Sequence, residues 1–307
     1  MRVAVVGAGG QGGYFAGMLA RAGIEVCVIA RGETLMAIRS RGLRLTSAAG
    51  ETFSVVLPVE DDPRRLGTVD LMFFCVKTYD LNTAAPQARS LVGKRTTVIP
   101  VQNGVEAWDQ LGRHFGKEAL LGGVSYVAAA TRQPGDVVFG GVEGGLLLGE
   151  IAGAESGRVR ETVETIRQAG VEVAPHPRIA LALWEKFVLV CATGGVMSLL
   201  RRSMGEVLRH PEGPRLCRGV MAEVVAVARA RGVALADDIV DRTLVFMKTR
   251  IDPTTRSSQL NDLLAGRRLE LEALNGAVVR LGRQTGTPTP LNETIYAALL
   301  PHVEGRS

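Results

Sequence analysis

Short runs of Val, Ile, Leu and Phe punctuate the first half of the chain, nearly continuous in apolarity instead of alternating with polar residues. Val3–Val6, Glu25–Ile29, Leu71–Val76 and Thr97–Pro100 are the clearest. Runs of this kind suit parallel strands covered on both faces, where neither side of the pleat meets water. Helical patterns fall between them, Gly12–Ala22 for example, and a βαβα order predicts a doubly wound sheet. Ala119–Tyr126, Val137–Phe139 and Leu146–Leu148 read as later strands, with a hairpin-like stretch around Gln133–Asp136.

From about Ile179 the period changes. Helical segments at Ala180–Leu200, Pro214–Arg231, Ala236–Lys248 and Gly266–Gly286 succeed one another, with no strand candidate of comparable strength. Glu172–Arg178, with its two prolines, marks the junction. At 307 residues the chain is long for one core, so two domains are expected.

Composition narrows the function classes. Apolar residues at 46% and charged residues at 22% are ordinary globular values, which excludes a disordered or fibrous chain. The net charge of +5 comes from 36 basic and 31 acidic residues spread along the chain, with aromatics at only 5%. Without a basic tract interleaved with aromatics, nucleic acid is not an expected partner; an anionic cofactor and substrate account for the excess. Cys27, Cys75, Cys191 and Cys217 lie far apart without a CxxC, and the four histidines are scattered. No metal-ligand spacing results, and buried free thiols in a reducing compartment are expected. The amino-terminal apolar run is too short for a signal peptide, and no window reaches the ~18 uninterrupted apolar residues of a membrane span. The expectation is a cytoplasmic protein with no membrane partner; a homodimer is compatible with the sequence, which does not fix the oligomeric state.

The strongest chemical signal is Gly7-Ala8-Gly9-Gly10-Gln11-Gly12, a GxGxxG at the end of the first strand that opens the first helix. Gly7 permits a tight turn, Gly9 lets backbone approach a pyrophosphate, and Gly12 allows close helix–strand packing. The helix amino terminus adds N–H donors and a positive dipole. Inside a βαβ unit this motif is a dinucleotide site, far more specific than a lone GxGxxG. Together with the strand pattern it gives the fold class: α/β, with an N-terminal Rossmann doubly wound parallel sheet (residues 1–175) and a C-terminal all-helical domain (176–307).

The end of the second strand selects the cofactor. An NAD site needs a carboxylate about 20 residues on to accept from the ribose 2′-OH. Here Arg31 stands 24 residues after Gly7, and a guanidinium can pair with a 2′-phosphate. NADP(H) is therefore favoured, although Glu33 two residues on leaves NAD open. Lys77 and Asn103 each come after a strand, on the side where such sheets bind ligands. Turn chemistry alone would also account for Asn103-Gly104.

Lys186 heads a long apolar helix, where by itself a lysine reads as snorkelling to the surface. Glu270 lies beside a stripe of Leu271, Leu274, Val278 and Leu281 on an expected second helix, and alone reads as a solvated charge. Together, however, VGAGGQGGYFA, VKTYD, QNGVE, LWEKF, SSQLND, LELEALNG and GTPTPLNETIY resemble, over nearly the whole chain, the ketopantoate reductase (2-dehydropantoate 2-reductase) family. The resemblance implies that Lys186 is the catalytic acid, that Glu270 is a substrate-binding partner near it, and that Ser258 contacts the substrate carboxylate. It further implies Asn103 at the substrate–nicotinamide junction, Lys77 nearby, and Arg31 on the 2′-phosphate. NADPH would then deliver hydride to a small 2-keto acid in a cleft between the two domains.

One departure stands out. Where well-studied members of that family carry two asparagines, four and eight positions after the lysine, this chain has Val190 and Gly194. The pocket is expected to be less polar and roomier, with Thr193 as partial compensation. Losing partners for buried substrate polar groups costs a few kcal/mol, so the identity of the keto acid stays open. Another 2-keto acid, a keto ester, an opine-like imine, or an NADPH-binding protein without turnover are the alternatives.

Overall fold

The computed structural model describes residues 1–140, 145–153 and 155–306. Two compact units are present: Met1–Gln102 with Ala107–Ala180, and Asn103–Glu106 with Leu181–Ser307. The chain therefore visits the second unit twice. Val173–Pro175 of the proline-bearing stretch is a strand of the first unit, and the second unit resumes at Leu181.

The strands of the first unit, in chain order, are β1 (Arg2–Val6), β2 (Glu25–Ile29), β3 (Leu43–Ser47), β4 (Thr52–Val55), β5 (Val59–Glu60) and β6 (Val69–Phe74). They continue with β7 (Val92–Pro100), β8 (Gly122–Ser125), β9 (Ala128–Gln133), β10 (Asp136–Gly140), β11 (Leu146–Gly149) and β12 (Val173–Pro175). The central sheet has the order β5-β2-β1-β6-β7, and every pairing in it is parallel. Its continuous apolarity has a direct cause. Val3 and Val5 enter a core with Phe15, Leu19 and Phe73, while Ala4 and Val6 enter another with Met72, Phe74 and Leu91. Alternate residues thus serve opposite faces, and neither face can be polar.

Two smaller sheets complete the unit, β4-β3-β10-β9 and β12-β11-β8. The stretch read as hairpin-like is the antiparallel β9–β10 pair. Strands β3, β4, β5 and β12 were not anticipated, and β9 only through the hairpin-like stretch at its end. Most are short or exposed on one side, and β9 (AAATRQ) carries no apolar run at all.

The second unit is helical among the described residues, with long helices Ile179–Leu200, Glu212–Ala230, Ile239–Thr249 and Asn275–Thr285. Ile179–Leu200 is long and apolar enough to cross a membrane by length and composition, yet 61% of its most apolar window is buried inside the protein. Phe187, Val188, Cys191, Ala192 and Val196 on it belong to the core of this unit.

The expected single helix Gly266–Gly286 is broken. Residues 266–270 are not helical, a 3-10 turn, Leu271–Ala273, precedes Leu274 at φ −105°, ψ −105°, and the helix begins only at Asn275. Buried polar bonds fix that start. Asn275 donates to Asn292 Oδ1 at 2.9 Å, and Asn292 donates to Glu223 at 2.7 Å. Glu223 in turn accepts from the backbone N–H groups of Leu291 and Asn292 at 2.8 and 2.9 Å, satisfying donors at the start of helix Pro290–Leu299 that have no intrahelical partner.

Candidate active site

The four glycines of the amino-terminal turn differ in what demands them. Gly7 has φ +94°, which only glycine adopts readily. A Cβ at Gly12 would lie 1.9 Å from the Gly7 carbonyl oxygen, and one at Gly10 2.3 Å from that of Ala129. Around Gly9, by contrast, nothing lies within 4 Å of where a Cβ would stand. Packing requires three of them, and only the fourth faces open space. Gly9 is also the N-cap of helix Gly10–Arg21 and supplies no side-chain cap, so the first-turn N–H groups form an anion-binding end without a protein ligand of that kind. Gln11 Oε1 is buried there with no hydrogen-bond partner among the described residues. The uncapped helix end and the open position at Gly9 fit the pyrophosphate of a dinucleotide.

On either side of β1, a charged residue follows shortly after the neighbouring strand. Arg31 comes after β2 as the N-cap of helix Gly32–Arg41. Its guanidinium donates to Asp80 Oδ2 at 2.6 Å. Asp80 closes the 3-10 turn Thr78–Asp80 that begins after half-buried Lys77. Gln102, two residues beyond β7, donates to the carbonyls of Phe74 and Val76 at 2.6 and 3.2 Å and ties the segments after β6 and β7 together. Its Oε1 is buried and has no partner among the described residues.

In the second unit, Lys186 lies about two turns into its long helix and is 8% exposed, like Glu270. The readings of both as surface charges therefore fail. The Lys186 ammonium donates to Asn103 Oδ1 at 2.9 Å. Burial pulls its pKa down to about 8, and the Glu270 carboxylate opposes that drop by favouring the charged form. Glu270 reaches this place from the cap of the 3-10 turn, not from a helix face.

The segment Asn103–Glu106 holds Asn103 in place. Gly104 has φ +99°, and a Cβ there would meet the Ala273 carbonyl at 2.6 Å, so only glycine lets this segment lie against the turn that carries Glu270. Glu106 accepts from Arg280, which also donates to the Glu272 carbonyl at 3.2 Å. Lys186, Asn103 and Glu270 are thus gathered from three separate stretches of the chain.

The remaining expected site residues of this unit lie on two helices. Ser258 is exposed as the first residue of helix Ser258–Leu264, whose cap is the Ser257 hydroxyl accepting from Leu260 N–H at 3.1 Å. Val190 is half-buried and Gly194 buried, with Leu274 3.2 Å and Gln259 3.8 Å from where a Gly194 Cβ would be. Thr193 turns its hydroxyl back to the Val190 carbonyl at 3.5 Å. Sequence reasoning missed Asp80, Arg280 and Gln259. Gln259 is 2% exposed, with neither end of its amide hydrogen-bonded among the described residues; a polar residue between apolar helical positions was the available signal. Among the described residues no group of three or more His, Cys, Asp and Glu could hold a metal ion.

Two family models cover most of the chain: "Ketopantoate reductase PanE/ApbA" over residues 3–153 and its C-terminal counterpart over 178–302. A 2-dehydropantoate 2-reductase of Mycobacterium tuberculosis is 31% identical, over 99% of this chain and 98% of its own. A solved ketopantoate reductase from Ralstonia eutropha JMP134 superposes with a TM-score of 0.89 at 34% identity, covering 98% of both chains. A D-mandelate dehydrogenase solved with NADH and anilino(oxo)acetate shares the fold, with a TM-score of 0.91 at 22% identity over 98% of each chain. With both halves matched in order and the parallel sheet succeeded by a helical unit, this chain belongs to the ketopantoate reductase PanE/ApbA family of oxidoreductases.

Proposed function

We propose that this enzyme catalyses the NADPH-dependent reduction of 2-dehydropantoate to (R)-pantoate, the step that feeds pantothenate and coenzyme A synthesis, with Lys186 as general acid. The observation that carries the reading is one buried ammonium held between Asn103 and the charge of Glu270. A structural lysine gains nothing from such burial, because desolvation disfavours its charged form. A proton donor needs a pKa near the working pH, and a value of about 8 meets that condition.

NADPH, when bound, supplies the hydride that C2 of the keto acid receives. The Gly7–Gly12 turn would hold the pyrophosphate by backbone N–H groups, Arg31 the 2′-phosphate, and Lys77 and Asn103 the groups toward the nicotinamide. As negative charge grows on the C2 carbonyl oxygen, the Lys186 ammonium stabilises it and then donates a proton. Asn103 keeps that ammonium aimed, and Glu270 keeps it charged and accepts from a substrate hydroxyl. Ser258 meets the carboxylate. The test is NADPH oxidation with 2-dehydropantoate. Lys186→Ala should lower kcat by about 10²–10⁴-fold and leave NADPH binding intact; near wild-type turnover would refute the assignment.

A second reading keeps the chemistry and changes the keto acid. Val190 and Gly194 motivate it, since they present no side-chain amide. Values of kcat/KM for 2-dehydropantoate against a panel of branched and aromatic 2-keto acids separate the two, and a preference of tenfold or more for another acid (about 1.4 kcal/mol) would favour the second.

A further inference from the structure

We propose that Asp80 sets the balance between NADPH and NADH: it competes with a 2′-phosphate for Arg31, and it offers NADH the carboxylate that the end of β2 lacks. This rests on the reading that a nicotinamide dinucleotide occupies the glycine turn. Strand β1 has β2 on one side and β6 on the other. Two strands flanking a third stand roughly 10 Å apart. The Arg31–Asp80 pair bridges that gap, because Arg31 comes after β2 and Asp80 ends the turn after β6. The pair therefore spans the strand that feeds the glycine turn, on the side of the sheet where ligands bind.

In sequence, the position that decides the cofactor holds an arginine. In space, it also holds a carboxylate, 2.6 Å from that arginine. The two side chains are unequal partners: Arg31 is 76% exposed and Asp80 23%. The guanidinium can reorient toward an incoming phosphate, whereas the more enclosed carboxylate stays where it is. A 2′-phosphate arriving at Arg31 meets a cation already neutralised, with a like charge beside it. A ribose 2′-OH can instead donate to Asp80 while Arg31 keeps its ion pair. One carboxylate thus acts as a repulsive element toward one cofactor and an acceptor toward the other. The preference for NADPH is weaker than Arg31 alone would impose.

Fluorescence titration of NADPH and NADH, free of any turnover, tests this on wild type, Asp80→Asn and Arg31→Ala. Asparagine keeps the shape and removes the charge. Asp80→Asn should tighten NADPH and weaken NADH by about fivefold each, near 1 kcal/mol per cofactor, and the NADPH gain should shrink as salt is raised. Arg31→Ala should shift the ratio the opposite way. An Asp80→Asn ratio within twofold of wild type overturns the proposal, as does weaker NADPH binding, which would mark Asp80 as a mere support for Arg31. If wild type binds neither cofactor, the dinucleotide reading falls and the proposal with it. If it binds both and the ratio does not move, only the proposal falls.

Discussion

The Lys186 ammonium donates to Asn103 Oδ1 over 2.9 Å, although 83 residues of chain separate the two. Asn103 belongs to the second unit while Gln102 before it belongs to the first, so a single peptide bond marks the crossing and its first residue is the partner of the lysine. Hydrogen bonds to charged groups contribute about 1.5–3 kcal/mol. Asn103→Ala should therefore lower kcat/KM by about 10- to 100-fold. Thermal stability measured alongside should stay close to wild type, because the lost partner is replaced by solvent or substrate. A variant with unchanged kinetics would show that the contact does not serve the reaction.

The same ammonium predicts a pH profile. Burial holds the Lys186 pKa near 8 against the opposing field of Glu270. Reduction needs the protonated form, so kcat/KM should be level below pH 8 and fall as pH rises through it. Glu270→Gln removes the charge that favours the ammonium; the neutral amine then gains, and the descending limb must move to lower pH. A limb that stays in place, or moves up, would exclude Glu270 as the countercharge. Profiles in H₂O at constant ionic strength suffice.

Arg280 is predicted to act through Asn103. It holds Glu106 and the Glu272 carbonyl, and with Gly104 against Ala273 it fixes both sides of the short segment that presents Asn103. Arg280→Ala should reduce kcat by about tenfold with the NADPH Kd unchanged. Glu106→Gln should behave alike, and the double variant no worse than either, since partners in one interaction are not additive. Additive losses would mean that the two residues act separately.

How far the sequence carried this picture depends on which physical signal each part leaves. The four main strands are legible because each sends side chains into two cores at once, which forces an unbroken apolar run. Strand β9 has no such demand, and AAATRQ leaves no apolar run, so only the hairpin-like turn at its end is legible. The long helices are legible within two or three residues for the same reason, except the last. Leu271, Leu274, Val278 and Leu281 are all buried, so their spacing reads as one helix, yet the backbone breaks at Leu274. Apolar period reports which residues face the core and not whether the backbone between them is continuous. Glu270 lies in the non-helical stretch before that break, at the cap of the 3-10 turn. Glu270 and Lys186 themselves were legible only through the family resemblance, because a buried charge and a solvated one look alike in a single sequence. Asp80 sits inside the VKTYD motif, but nothing in the letters tells that it meets Arg31 49 residues away.

The glycine turn separates residues kept for folding from one kept for a ligand. At Gly12 an added methyl would lie 1.9 Å from the Gly7 carbonyl oxygen, with the helix and the turn both unable to retreat. Gly12→Ala should therefore lose about 1–3 kcal/mol or more of stability, visible as a lower Tm without any cofactor present. Gly9 has φ −72° and ψ −164°, an extended conformation open to any residue, and free space where the methyl would go. Gly9→Ala should fold with an unchanged Tm and bind NADPH at least about tenfold more weakly, a loss near 1.4 kcal/mol, because the methyl takes the room that pyrophosphate oxygens need. Calorimetry and cofactor titration on the same two variants decide the matter. If Gly9→Ala bound the cofactor as wild type does, the open face of the turn would not be where the dinucleotide lies.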